Sequence, residues 1–421
     1  MEYKKQEIKK GINVHLIKTD NFKTDLMAVF LTTKLTRENV TKNAMIPMVL
    51  RKGSKNLENI EQINKHLEEM YGADFNCGVD KTGDNQVMKF YLETIDNEFL
   101  PTEEDLLSKG INTLLELTFN PKIENNAFDE EFINTEKEKL KIIIEGRKDS
   151  KAKYAYTRCQ EEMYKDKPYG LFQYGYIEDI DKIDASNLYE YYKKLISECK
   201  IDIFVSGNID DNKVFEDIKN NENIKKLNER EPQYEQKNTP LEAKEEREIE
   251  EKADVTQGNL ILGLRIDEES MKEKYVAVVY NAILGGSATS KMFQIVREKH
   301  SLAYTAASSF IRHKNSIFIR CGIEIDNYQK ALDLIREQIE DMKKGNFTDE
   351  DIENGRAGII SMIKGIPDEQ DTGITYYLGQ ELSEFKMSFE EYEKEIKAVT
   401  KDEIVEFAKK VSIDTIYFLR N

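Results

Sequence analysis

At 421 residues the chain is too long for one compact core and fits two domains of roughly 200 residues each. With 39% hydrophobic and 34% charged residues it has enough apolar side chains to bury cores. The 62 Lys and Arg against 80 Asp and Glu leave a net charge of -18, which argues against nucleic acid or an anionic membrane as partner, since either needs a basic patch.

The opening MEYKKQEIKKGINVHLIKTD is basic but has no apolar segment after it, and no later stretch approaches the roughly 18 unbroken apolar residues of a membrane span. A cytoplasmic location and no membrane partner are the expectation. The cysteines, at 77, 159, 199 and 321, include no CxxC, so buried free thiols are expected rather than a zinc knuckle or a disulfide scaffold.

In chain order, strands are predicted at Leu26 to Leu31, Gln86 to Leu92 and Ile201 to Val205. Between them, Leu57, Ile60, Ile63, Leu67 and Met70 recur every three or four residues and predict a helix from about Leu57 to Met70. A second helix covers about Glu104 to Leu117, stopped by Asn120-Pro121. From about Asp210 to Ala253 the sequence turns polar and charged, which reads as a linker, although a solvated helix accounts almost as well for its first part. The strand pattern resumes at NLILGLRI.

Two segments recur in the same order in both halves. FDEEFINTEKEKLKIII from Phe128 is similar to FTDEDIENGRAGIISMI from Phe347, an offset of about 219 residues. IEDIDKIDASNLYEYYKKLI with IDIFVSGNI is similar to YEKEIKAVTKDEIVEFAKKV with IDTIYFLRN. The two matches in register imply a duplicated domain of mixed α and β structure. The expected fold is α+β, with two homologous domains, each a mostly antiparallel sheet with helices on one face. Their expected bounds are 1–215 and 255–421, joined by a charged linker at 216–254.

Metal-dependent hydrolysis needs several ligands converging, usually two on one helical face. The four histidines, His15, His66, His300 and His313, are too far apart in sequence for HExxH or HxxEH. In HLEEM from His66, a methionine stands where a second histidine is needed, so His66 reads as flanking its helix's apolar stripe; a metal site from His66, His300 or His313 is a remote third reading. No P-loop, GxGxxG or GxSxG signature occurs, Gly285-Gly286-Ser287 reads as a turn between helices, and Cys77 reads as a packed strand residue. A different signal lies in SKMFQIVRE followed by KHSLAYTAASSF. Met292, Phe293, Ile295 and Val296 should pack inward, and Arg297 and Tyr304 flank a turn whose polar tips can converge. Arginine offers forked donors to a carbonyl, and a tyrosine hydroxyl can donate to a developing oxyanion.

The stretch NAILGGSATSKMFQIVREKHSLAYTAASS resembles the C-terminal half of the insulinase/pitrilysin family of metallopeptidases, which includes the mitochondrial processing peptidases. LRKGSKNLENIEQINKHLEEMYGADFNCGVDKTGDNQVMKFYLE resembles the family's N-terminal half, so the likeness covers nearly the whole chain. Active members carry HxxEH just before a KGT-like motif, plus a distant glutamate as third zinc ligand. Anchored on Gly53, the matching positions here are Ala44, Pro47 and Met48, and the third ligand falls at Ile142 or Ile143, with Glu145 nearby. None of the three can serve as ligand or base, so no metal is expected in this chain and no peptide hydrolysis by it alone.

The resemblance further implies a zinc-free subunit of a heterodimer, whose partner carries HxxEH and zinc, with Arg297 and Tyr304 acting in trans on a peptide or unfolded protein. Asn76 and Cys77 are the implied peptide-binding positions, where the peptide adds a strand to a sheet edge. The alternative is a pseudopeptidase that binds peptide or scaffolds an assembly without any part in cleavage.

Overall fold

A computed structural model of the chain describes residues 2–236, 241–242, 245–267, 272–383 and 386–421. They form two compact units. The first comprises Met1–Glu145, Leu171–Gln236 and Ile366–Leu382, and the second Gly146–Gly170, Lys237–Gly365 and Ser383–Asn421.

In the first unit the strands are β1 (Glu2–Lys9), β2 (Ile12–Lys18), β3 (Thr24–Lys34), β4 (Asp74–Thr82), β5 (Asn85–Ile95), a short hairpin of β6 (Ile123–Glu124) and β7 (Ala127–Phe128), and β8 (Lys200–Gly207). Six of them make one sheet in the order β1-β2-β8-β3-β5-β4. Its neighbours run antiparallel except β2 and β8. The alternation of side chains along a strand explains its two faces. Val14, Met27, Val29, Leu31 and Val205 share one core with Ile46, Leu114 and Leu188 from the helices Val40–Leu50, Leu106–Phe119 and Ala185–Glu198. Ile17, Ala28, Phe30 and Phe204 face the other way and pack with Ile374, Leu378 and Leu382. Ile374 and Leu378 belong to the helix Gln370–Glu381.

The second unit has β9 (Arg247–Lys252), β10 (Gly258–Ile266), β11 (Ala303–Ile311), β12 (Ser316–Ile323) and β13 (Val411–Arg420), in the order β11-β12-β10-β13-β9. This repeats β4-β5-β3-β8-β2, down to the single parallel pair, β9 with β13. The expected α+β duplication is therefore present, and each sheet also carries one helix on its second face. In the second unit this is Lys151–Met163, whose Cys159 and Met163 pack with Ile261, Phe318 and Tyr417. Gly263 lets that helix approach, because a Cβ there would lie 2.6 Å from the Met163 sulfur. NLILGLRI falls within β10, which is buried along its whole length because both its faces are covered.

Caps set the helix ends. The helix expected from Leu57 runs Ile60–Glu69, since the Asn59 side chain accepts from the Gln62 N–H. The one expected from Glu104 runs Leu106–Phe119 behind Asp105. Matching capping boxes, Asp184 with Asn187 and Thr400 with Glu403, open the helices Ala185–Glu198 and Lys401–Lys409 that lead into β8 and β13. The charged run after Asp210 starts as the helix Asp211–Asn220, which buries Val214 and Ile218, and ends as β9. Residues 237–240 and 243–244 of that run lie outside the described residues. No described helix is long and apolar enough to cross a membrane.

Candidate functional site

Ala44 and Met48 stand one turn apart on Val40–Leu50 and line a hollow of about 410 Å³ with Arg51, Cys77, Ile142 and Ile143. Pro47 sits buried inside that helix, where it has no N–H for the Asn43 carbonyl. Its own carbonyl accepts from Arg51 N and, at 3.2 Å, from the Cys77 thiol. A methyl, a thioether and two aliphatic chains offer no ligand for zinc. The carboxylate that does line the hollow, Glu136, is buried and ion-paired with Lys139 at 2.7 Å and Lys52 at 3.3 Å. These residues do not fit a zinc ion. Among the described residues no three His, Cys, Asp or Glu side chains converge in a way that could hold a metal. Ile142 and Ile143 remain 67% and 39% exposed, so the floor of the hollow is an uncovered apolar surface.

Asn76 and Cys77 lie on β4, the edge strand of the first unit's sheet. Cys77 faces the hollow, and burial pushes its thiol up to about 11, which keeps it protonated and inert. The Asn76 side-chain oxygen accepts from the Cys77 N–H at 2.9 Å. On the other side of β4 lies a cleft of about 780 Å³, bounded by β4, β5 and the start of Gln370–Glu381. Sequence reasoning missed this cleft, because its far wall comes from residues 368–375, which carry no motif of their own.

In the second unit, Arg297 lies in the segment Met292–Lys299, which is wound as a π-helix; Met292 and Val296 are its fully buried residues. His300 N–H closes on the Ile295 carbonyl, five residues back. Tyr304 occupies a β-bulge: Ala303 pairs with Ile323 and Thr305 with Gly322, which leaves Tyr304 as the extra residue, 61% exposed. Such irregular backbone re-aims side chains and recurs beside functional sites. Arg297 stacks over the Phe293 ring and lies 3.5 Å from Glu298, while the Tyr304 hydroxyl reaches Glu324 at 3.5 Å. Among the described contacts no hydrogen bond joins Arg297 to Tyr304.

The histidines serve other ends. His66 bonds the Thr113 hydroxyl at 2.9 Å, His300 is exposed, and burial together with Arg312 lowers His313 to about 4. His15 is wholly buried between Tyr3 and Asp202.

Comparison with known proteins agrees with this picture. Residues 182–359 match the family described as the peptidase M16 inactive domain. Over 412 residues, 97% of this chain and 96% of the relative, the chain is 34% identical to the probable inactive metalloprotease YmfF of Bacillus subtilis. A conserved protein of Enterococcus faecalis superposes with a TM-score of 0.90 at 27% identity, covering 100% of this chain and 99% of that one. A peptidase M16 inactive domain from Pseudomonas fluorescens shares the fold, with a TM-score of 0.79 at 16% identity and coverage of 100% and 98%. The chain belongs to the insulinase family of metallopeptidases, as one of its inactive members.

Proposed function

We propose that this protein is the zinc-free, peptide-binding subunit of a two-subunit insulinase-family peptidase. The observation that carries the reading is the contrast between its two units. The positions that the resemblance assigns to the family's zinc ligands carry Ala44, Pro47, Met48 and Ile142 or Ile143 at an apolar hollow, whereas Arg297 is half-buried on a π-helical segment and Tyr304 is exposed on a β-bulge. π-Helical turns and β-bulges are both frequent beside functional sites, which supports a role for the two side chains. In this reading the partner's zinc activates water, Arg297 donates to a peptide carbonyl and orients the chain, and Tyr304 donates to the oxyanion.

The test is an Arg297→Ala and a Tyr304→Phe variant, each mixed with an HxxEH-bearing relative of the family. The reading expects complex formation to persist while turnover falls about 100-fold or more, the usual cost of removing an oxyanion donor. Unchanged turnover overturns the role of the pair.

A second reading, a pseudopeptidase that holds peptide without assisting cleavage, is supported by the edge strand β4 with Asn76 and Cys77 beside an open cleft. It predicts peptide binding by the chain alone and no effect of either substitution on a partner's turnover.

A further inference from the structure

In the second unit β11 departs at one place from its counterpart in the first. β4 pairs with β5 in unbroken register, from Asp74 opposite Glu93 to Thr82 opposite Asn85. β11 pairs with β12 in the same antiparallel manner, but its register slips by one residue at Tyr304. The bulge is therefore no requirement of the duplicated fold; it belongs to the unit that carries Arg297 and Tyr304. Its effect on the side chains is direct. A regular strand alternates its faces, whereas Tyr304 and Thr305 are exposed in succession, between buried Ala303 and Ala306.

An extra residue interrupts the ladder, and here a side chain spans the interruption. The Gly322 N–H, beside the bulge, donates to Thr305 Oγ1 at 3.2 Å. Gly322 leaves room for that oxygen, since a Cβ there would lie 3.0 Å from it and 2.8 Å from Gln257 Nε2. The far end of Tyr304 is met by Glu324, whose Oε1 accepts from the phenol at 3.5 Å and whose Oε2 accepts from Asn327 Nδ2 at 3.2 Å. Thr305 thus holds the backbone of the bulge, and Glu324 steadies the ring that the bulge presents. Loss of the bulge would advance the strand by one residue and carry Tyr304 to the place opposite Ile323 that Ala303 now fills, on the buried face.

We propose that Thr305 is the positioning residue for Tyr304, its hydroxyl holding the one-residue bulge that keeps the phenol presented to a bound peptide. This inference rests on the Arg297 and Tyr304 reading above and adds the group that keeps Tyr304 in place. Valine has nearly the shape of threonine and no acceptor, so Thr305→Val leaves the Gly322 N–H without its side-chain partner. Tyr304 is called on to donate only as the oxyanion forms, so the loss falls on kcat rather than on KM.

Turnover of a fluorogenic peptide by the full chain mixed with an HxxEH-bearing relative tests it. Thr305→Val should lower kcat about three- to tenfold with KM little changed, the range of one ordinary hydrogen bond. Thr305→Ser restores the hydroxyl and should recover most of that loss. In a Tyr304→Phe background, Thr305→Val should cost nothing further. A second readout needs no partner. The chain has no tryptophan, so Tyr304→Trp places a single one on the bulge; adding Thr305→Val should reduce its quenching by acrylamide, and adding Thr305→Ser should not. If Tyr304→Phe slows the mixture but Thr305→Val does not, or Thr305→Ser is as slow as Thr305→Val, or Thr305→Val adds its full loss to that of Tyr304→Phe, the positioning role is overturned while the reading of Tyr304 stands. Unchanged quenching in the Thr305→Val chain overturns the hold on the bulge whatever the turnover. Full turnover with Tyr304→Phe overturns the reading of Tyr304 and this inference with it.

Discussion

His15 Nε2 lies 2.9 Å from Asp202 Oδ1, and both side chains are wholly buried. Lys200 bonds both oxygens of the same carboxylate, the Tyr3 hydroxyl meets His15 Nδ1 at 2.8 Å, and Glu381 joins Lys5 at 2.5 Å and Lys200 at 3.8 Å. This network ties β1, β2 and β8 to the helix Gln370–Glu381. Asp202→Ala leaves Lys200 and His15 buried without their shared acceptor. The loss should be about 3–5 kcal/mol, read from the urea unfolding midpoint.

Acid should weaken the same unit. Lys200 and His15 hold the Asp202 carboxyl well below the usual carboxylate range, against the opposing effect of burial, so its contribution is present above the unfolded value and is lost as pH falls. Burial lowers His15, so the fold favours the neutral imidazole and loses stability as pH drops below about 6.5. Both signs agree. In an Asp25→Asn background, which removes the opposing carboxylate, urea midpoints should fall between pH 7.5 and pH 5, and His15→Gln should flatten the part of that slope nearest pH 6.

Asp25 carries the opposite sign. Burial and the neighbouring Asp96 push its carboxyl up to about 7, with a backbone N–H at Asn208 opposing them. A carboxylate raised in the fold contributes fully below its unfolded value near about 3.9 and costs stability as pH climbs toward 7. Asp25→Asn removes the charge and should stabilise the chain by about 2–4 kcal/mol at pH 8 with little gain at pH 4, seen as a pH-dependent rise in Tm. Gly207 must stay, because a Cβ there would run into the Asp25 carboxyl.

The proposed correspondence of the hollow with the family's zinc site can be tested by restoring ligands. Ala44 and Met48 point into it from one helix and Ile143 from another. Ala44→His, Pro47→Glu, Met48→His and Ile143→Glu combined should retain stoichiometric zinc after dialysis, measured by plasma emission. The same variant without Ile143→Glu should retain far less, since two histidines alone leave the coordination incomplete.

The legible parts of this molecule were those fixed by local pattern. The run in β10, the period of Ile60 to Glu69 and the repeated capping residues could be read directly, because each depends on neighbours within a few positions. The packing of Ile374 and Leu378 onto Phe30 and Phe204 could not, since nothing in an amphipathic helix names the strand it covers. The cleft beside β4 is hidden for the same reason. Ala44, Pro47 and Met48 carry no chemical signal of their own, and only the resemblance singles out their positions. The exposure of Tyr304 depends on a single-residue bulge, which leaves no trace in the spacing of LAYTAASSF.

The most direct measurement is peptide hydrolysis in zinc-containing buffer by the purified chain alone, by an HxxEH-bearing relative alone and by the two together. The account predicts no turnover from this chain and a turnover in the mixture well above that of the relative alone. Hydrolysis by this chain alone, abolished by a chelator, would contradict the reading of Ala44, Pro47 and Met48, and a mixture no faster than the relative would contradict the shared site.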